Sequence, residues 1–147
     1  MSEYNQAKLL RENLRVLVRK LGVLEREEAS WCAVTLSQCH TIVEIGRAGG
    51  ISINALAEVL GLDKSTVSRS VDKLVNDNLI VRDTDPEDRR YLTLKLSEKG
   101  QLLFEEVETR MSAYFENVLD TLPADKREQV IESLQYLTQA LPGFRCC

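Results

Sequence analysis

The feature that most constrains this chain is a change of apolar period within one short stretch. Val67, Val71, Leu74 and Val75 recur at the spacing of one helix face; further on, Leu92, Leu94 and Leu96 alternate with Tyr91, Thr93 and Lys95. The first pattern fits about 3.6 residues per turn, and the second fits the two-residue repeat of a half-buried strand. A helix must therefore give way to a strand after Asn78, and the sequence predicts the partner strand over Leu79 to Asp83. The connector between the strands holds Asp85, Pro86, Glu87, Asp88, Arg89 and Arg90, so a charged tip with two adjacent arginines is expected.

The flanking residues fix where other helices start and stop. Thr35 with Gln38 has the capping-box spacing, and Ala48-Gly49-Gly50 is a stop signal, because Gly enters the left-handed conformation without a Cβ clash. Ser52 can cap a third helix with Ile53, Leu56, Ala57 and Leu60 on one face; Gly61 breaks it and Asp63 caps the next. Ser97 caps a long helix striped by Leu103, Val107, Met111, Tyr114, Val118 and Leu122. Pro123 suits the first turn of a final helix carrying Val130, Leu134, Leu137 and Leu141, which Pro142 and Gly143 end. Near the start, Leu10, Leu14, Leu17, Leu21 and Leu24 form a nearly heptad seam, which fits either a core-facing helix or a seam between subunits.

The predicted fold class is mainly α with a small β wing (α+β). A chain of 147 residues fits a single domain, expected here over 1–147, with a central unit of about 35–100 and long helices of about 4–25 and 101–141. Aromatics are only 5%, so Leu, Val and Ile must fill most of the core. No apolar run approaches the ~18 residues of a membrane span, and the polar start MSEYNQAKLLREN lacks a leader's apolar stretch. A cytoplasmic protein with reduced thiols and no membrane partner is expected. The chain has no phosphate-cradling Gly-rich loop, paired-His motif or catalytic triad, so neither an enzyme nor a cofactor is expected.

Two helices joined by a tight turn can present the second to the major groove of DNA, with side chains near its N-terminus reaching base edges. On a helical projection Arg69 lies nearly opposite the apolar face, flanked by Ser65, Thr66 and Lys73. Ser65 and Thr66 can donate to bases or phosphates, Arg69 can fork onto guanine, and Lys73, a turn further on, suits a phosphate. The hairpin tip supplies Arg89 and Arg90 for a narrow minor groove, with Asp88 placed to hold one of them by a charge-assisted hydrogen bond. The bland alternative is that both faces are merely solvated. The net charge of −4 does not by itself oppose DNA, because Asp63 to Gly100 contains eight bases and eight acids and the acidic excess lies outside it.

The strings LGLDKSTVSRSVDKLV and DPEDRRYLTLKLSEKG, and the order of elements around them, closely resemble the MarR family of winged-helix transcriptional regulators. The most specific part is Asp88-Arg89-Arg90 ahead of the alternating strand and Ser97-Glu98-Lys99-Gly100. The resemblance implies a winged helix-turn-helix flanked by N- and C-terminal dimerisation helices. It places Ser65, Thr66 and Arg69 at the major groove and Arg90 in the minor groove, oriented by Asp88. It further implies a homodimer built from the first and last helices, with an effector pocket between that region and the winged helix.

The four cysteines, Cys32, Cys39, Cys146 and Cys147, fit no zinc-finger spacing, so a metal site is left open. Cys39 reads either as a small buried residue or, with the others, as part of a thiol sensor; the adjacent tail thiols suit oxidation or a thiophilic metal. His40, the single histidine, points about 100° from Cys39 on a helix, which suits a structural or pocket-lining role better than a nucleophile–base pair. The resulting expectation is a sequence-specific regulator, a repressor, that binds a pseudo-palindromic operator in double-stranded DNA as a homodimer. A small molecule or thiol-reactive effector would release it. The competing expectation is a winged-helix protein-interaction module with no specific DNA target.

Overall fold

The computed structural model describes residues 1–32, 34–85, 87–88 and 90–141, with the backbone alone at 28, 29, 31 and 32. The chain divides into two compact units, Met1–Glu108 and the residues from Thr109 onward. In the first, α1 spans Glu3–Cys32, α2 Leu36–Ala48, β1 Ile51–Ser52, α3 Ile53–Leu60, α4 Lys64–Asn76, β2 Ile80–Thr84 and β3 Leu92–Leu96. Helix α5, Glu98–Thr121, runs from the first unit into the second, which also contains a 3-10 turn at Ala124–Lys126 and α6 at Arg127–Ala140.

The predicted caps form as read. Thr35 accepts from the Gln38 backbone while the Gln38 side chain reaches back, closing a capping box at the start of α2. Ser52 accepts from the Ala55 N–H at 3.1 Å and Asp63 from the Thr66 N–H at 3.4 Å, so α3 and α4 each begin on a side-chain acceptor. Gly49 and Gly61 end α2 and α3 at φ 71° and 66°, in the left-handed region. The short α3–α4 link is thus set by Gly61 on one side and Asp63 on the other.

The three-stranded sheet has the order β1-β3-β2, with β3 antiparallel to both neighbours. Leu94 sits opposite Ile51 on one side and Arg82 on the other, and is buried in the core at 1% exposure. The core is built from Ile42 and Ile45 of α2, Leu56 and Ala57 of α3, Val67, Val71 and Leu74 of α4, and Leu79, Ile80 and Leu94. Thr41, 1% exposed, is buried beside this core on α2, as is Gln38; the Thr41 hydroxyl donates to the Ser37 carbonyl at 2.9 Å.

Several boundaries differ from the sequence expectation. The first helix continues to Cys32 instead of ending near residue 25, because nothing after Leu24 breaks it. The wing strand starts at Ile80 rather than Leu79, since the Leu79 N–H still bonds the Leu74 carbonyl at 2.9 Å and belongs to the exit of α4. The inward row of β3 is incomplete: Leu94 is 1% exposed but Leu92 is 48% exposed, because Leu92 pairs with Thr84 at the far end of the hairpin, beyond the core. Pro123 introduces a 3-10 turn, and α6 proper begins only at Arg127. The predicted stop at Pro142 and Gly143 lies outside the described residues. Among the described residues, no helix is long and apolar enough to cross a membrane.

The start of α5 is pinned to the exit of α4. Ser97 donates its hydroxyl to the Asn78 carbonyl, its N–H to the Leu79 carbonyl at 3.0 Å, and accepts the Gly100 N–H at 3.0 Å. Asn78 takes φ 61°, a left-handed turn that Asn tolerates better than most residues. The approach is close enough that a Cβ on Gly100 would lie 2.0 Å from the Leu79 carbonyl oxygen.

Candidate nucleic-acid interface

Val67, Val71 and Leu74 turn one side of α4 into the core, and that fixes which side faces out. Arg69 and Ser65 are exposed on the outer side, and Thr66 is half-buried at its edge. Lys73, one turn beyond Arg69, lies 3.4 Å from Asp77 Oδ2, an exposed pair that a stronger anion can displace at little cost. At the first turn the Asp63 carboxylate accepts from the Ser65 and Thr66 hydroxyls as well as from the Thr66 N–H. The Ser65 hydroxyl, then the Thr66 hydroxyl, pull the Asp63 pKa from 3.8 down to about 2.

In the wing, Asp88 and Arg90 form a fork. Asp88 Oδ1 accepts from the Arg90 backbone N–H at 3.0 Å and from its Nε at 3.1 Å, while Oδ2 accepts from Nη2 at 3.0 Å. This pairing of Arg90 side chain and backbone holds the Asp88 carboxyl below the usual carboxylate value and raises the guanidinium above its own. The Arg90 side chain is 86% exposed, so the fork restricts its direction without covering it. Among the described residues it is Arg90 that Asp88 holds, the arginine to which the resemblance gives that place. Arg89 lies outside the described residues.

Two further cations join this surface. Lys64 and Arg82 line a hollow of about 350 Å³ together with Ser52, Asn54, Arg90 and Tyr91, between the start of α3, the start of α4 and the wing. Arg82 also pairs with Asp72, linking β2 to α4. Sequence reasoning did not single out this pair, because its partners lie on elements whose proximity only the fold sets. The signal available was a lone base in a short strand beside a helix carrying a lone acid.

The other candidates lie elsewhere. Cys39 is 5% exposed in α2, where it packs as a small core residue. Cys32 ends α1, but its side chain, like Cys146 and Cys147, lies outside what is described. His40 Nε2 lies 3.6 Å from Glu25 Oε1, and His40 lines a groove with Leu36, Ser37, Glu44, Val59 and Leu62. Among the described residues, no group of three or more His, Cys, Asp or Glu is placed to hold a metal ion.

A capped helix pair with an antiparallel hairpin closing directly onto it defines a winged helix. Residues 34–90 match the MarR family model. The chain is 28% identical over 113 residues to the HTH-type transcriptional regulator BilQ of Clostridium symbiosum (strain WAL-14163), covering 77% of this chain and 78% of that one. It is 27% identical over 128 residues to the HTH-type transcriptional repressor MdtR of Bacillus subtilis (strain 168), covering 87% and 83%. Streptococcus pneumoniae FabT, solved in complex with DNA, shares the fold at a TM-score of 0.81 and 24% identity, over 92% of this chain and 96% of that one. The winged-helix region thus matches the MarR family model, and most of the chain is similar to HTH-type transcriptional regulators.

Proposed function

We propose that this protein is a repressor that binds a pseudo-palindromic operator as a homodimer. The observation that carries the reading is the pairing of an outward Arg69 on α4 with an exposed Arg90 that Asp88 holds in a two-oxygen fork. In this reading Ser65, Thr66 and Arg69 meet base edges in the major groove, and Lys73 meets a phosphate. Arg90 enters the minor groove, and Arg89 adds charge beside it. The DNA complex of FabT and the repressor name of MdtR support the same assignment.

One α4 reads few base pairs, so two copies about one helical turn (~34 Å) apart are needed for a useful site. The exposed apolar residues of α1 and of α5–α6 supply surface for that pairing; Leu10, Leu17 and Leu21 are 50%, 38% and 37% exposed, and Val118 and Leu134 are 37% and 43% exposed. Release by a small-molecule or thiol-reactive effector completes the reading, since any ligand that alters the spacing of the two α4 helices lowers affinity. With Cys39 buried, a thiol trigger rests on Cys32, Cys146 and Cys147. A Cys146→Ser/Cys147→Ser double variant that responds unchanged to oxidants and soft metals removes the tail from consideration.

The test is a pull-down of sheared genomic DNA on the purified protein, with sequencing and a salt titration of the best fragment. Recovery of a few pseudo-palindromic sites is expected, with affinity falling steeply as salt rises because each neutralised phosphate releases counterions. Uniform weak recovery, identical for the Arg69→Ala and Arg90→Ala variants, would favour the interaction-module reading instead.

A further inference from the structure

The two hydroxyls at the start of α4 are not free to donate. Asp63 Oδ2 accepts from Ser65 Oγ and Oδ1 accepts from Thr66 Oγ1. An ionised carboxylate carries no proton, so both hydroxyls must be the donors. With its pKa lowered to about 2, the carboxyl is ionised near neutral pH. Each hydroxyl has one proton and two lone pairs, and with the proton committed only the lone pairs remain. The sequence expectation that these residues donate to bases or phosphates therefore does not fit the free protein.

We propose that Asp63 is a specificity-determining residue: by holding the Ser65 and Thr66 protons, it makes both side chains acceptors that select base amino groups in the major groove. The inference rests on the DNA-reading function above. Major-groove edges offer acceptors at purine N7, guanine O6 and thymine O4, and amino donors only at adenine N6 and cytosine N4. An acceptor side chain set against N7, O6, O4 or a phosphate oxygen brings lone pairs together. Ser65 and Thr66 are thereby turned away from the phosphates and towards adenine or cytosine. Arg69 follows Thr66 by three residues and Ser65 by four, so it shares their stripe and, as a donor, takes guanine O6 and N7. Each half-site is expected to place an amino-bearing base beside a guanine along the path of α4. Asp63 touches no base; it acts through the two hydroxyls, and its removal lets them rotate and bond acceptors as readily as donors.

The test begins by selecting a site from a randomised duplex pool with the full-length protein. Each adenine of the half-site is then replaced by deoxynebularine, which lacks the 6-amino group, and each cytosine by its 4-deamino analogue. Affinities are measured for the wild type and for Asp63→Asn at fixed salt. Asn caps helices about as well as Asp, but its single carbonyl oxygen holds one hydroxyl where the carboxylate holds two. At least one amino deletion is expected to weaken the wild type about tenfold, in the range of a base-specific contact, and Asp63→Asn less than threefold. Comparing the two proteins on the same duplexes cancels any effect of the analogue on the DNA itself.

Equal penalties in both proteins, or no wild-type penalty above threefold, would overturn the inference. If Arg69→Ala still abolished site preference, the DNA-reading function would survive that result. Failure to select any site, with Arg69→Ala behaving as the wild type, would overturn both. The wild-type scan needs no variant, so a poorly folded Asp63→Asn does not rescue the inference from a flat scan.

Discussion

Asp63 and Asp88 each accept from a residue two positions further on, and the consequences for the partners are opposite. Asp88 aims a cation that keeps its charge; Asp63 takes the donor capacity of two hydroxyls. Folding lowers the Asp63 pKa below the ordinary 3.8, so its ionised form favours the fold; that contribution is complete above pH 3.8 and is lost as pH falls through about 2. Followed by NMR, the Asp63 carboxyl is expected to titrate near 2, and a Ser65→Ala/Thr66→Val variant should move the midpoint up towards 3.8. An unmoved midpoint would mean the hydroxyls do not hold that carboxylate in solution. For the wing, Arg90→Lys keeps the charge but cannot make the two-nitrogen fork. Operator affinity should fall roughly tenfold, the order of a charge-assisted hydrogen bond. The salt slope should hardly change, because the charge count is preserved. An affinity unchanged by Arg90→Lys would instead mean that Arg90 acts only as a point charge.

At the scale of elements, what the sequence made legible was whatever a side chain does to its own neighbourhood. Thr35, Ser52, Asp63 and Ser97 announce helix starts because each satisfies an N–H within three residues, and Gly49 and Gly61 announce stops because the backbone needs a positive φ there. What was not legible depends on partners brought in from elsewhere. Strand β1 has two residues, too few to show a period, and it exists because β3 offers it an open edge opposite Ile51 and Ser52. The Asp72–Arg82 pair and the capture of two hydroxyls by Asp63 likewise need coordinates, although Asp63-x-Ser65-Thr66 was visible as a cluster of a carboxylate and two nearby hydroxyls. Gly100 is the clearest case: the sequence places it in the first turn of α5, where any helix former would serve, and only the packing shows the Leu79 carbonyl 2.0 Å from where a Cβ would sit. Backbone cannot yield as a flexible side chain can, so Gly100→Ala should destabilise by about 1–3 kcal/mol, the usual cost of overpacking. Urea unfolding measures this; a midpoint within experimental error of the wild type would mean that α5 is not held as closely to the exit of α4.

Over the whole molecule, charge and apolar surface are segregated in a way that suits a protein with two kinds of partner. The acidic excess lies outside Asp63 to Gly100, the segment in which Arg69 and Arg90 are exposed, so a duplex would meet the least net repulsion there. The long helices carry more exposed apolar surface than a solitary chain has reason to show: Leu9, Leu10, Leu17, Val18 and Leu21 on α1, and Val130, Ile131 and Leu134 on α6. The nearly heptad seam, which sequence left open between a core face and a subunit seam, is only partly covered within the chain. Leu14 and Leu24 are half-buried, but Leu10, Leu17 and Leu21 are 37–50% exposed. If the exposed members pair two copies, Leu17→Asp/Leu21→Asp should place charges at the dimer contact, where burying them unpaired is prohibitive. Light scattering after size exclusion is expected to report a monomer at concentrations where the wild type is a dimer. The fold itself should be preserved, since the winged-helix core contains neither leucine. Operator affinity should then fall by at least about a hundredfold, because each monomer engages one half-site without the effective concentration supplied by its partner. A double variant that remained dimeric and kept its affinity would move the interface away from this stripe of α1.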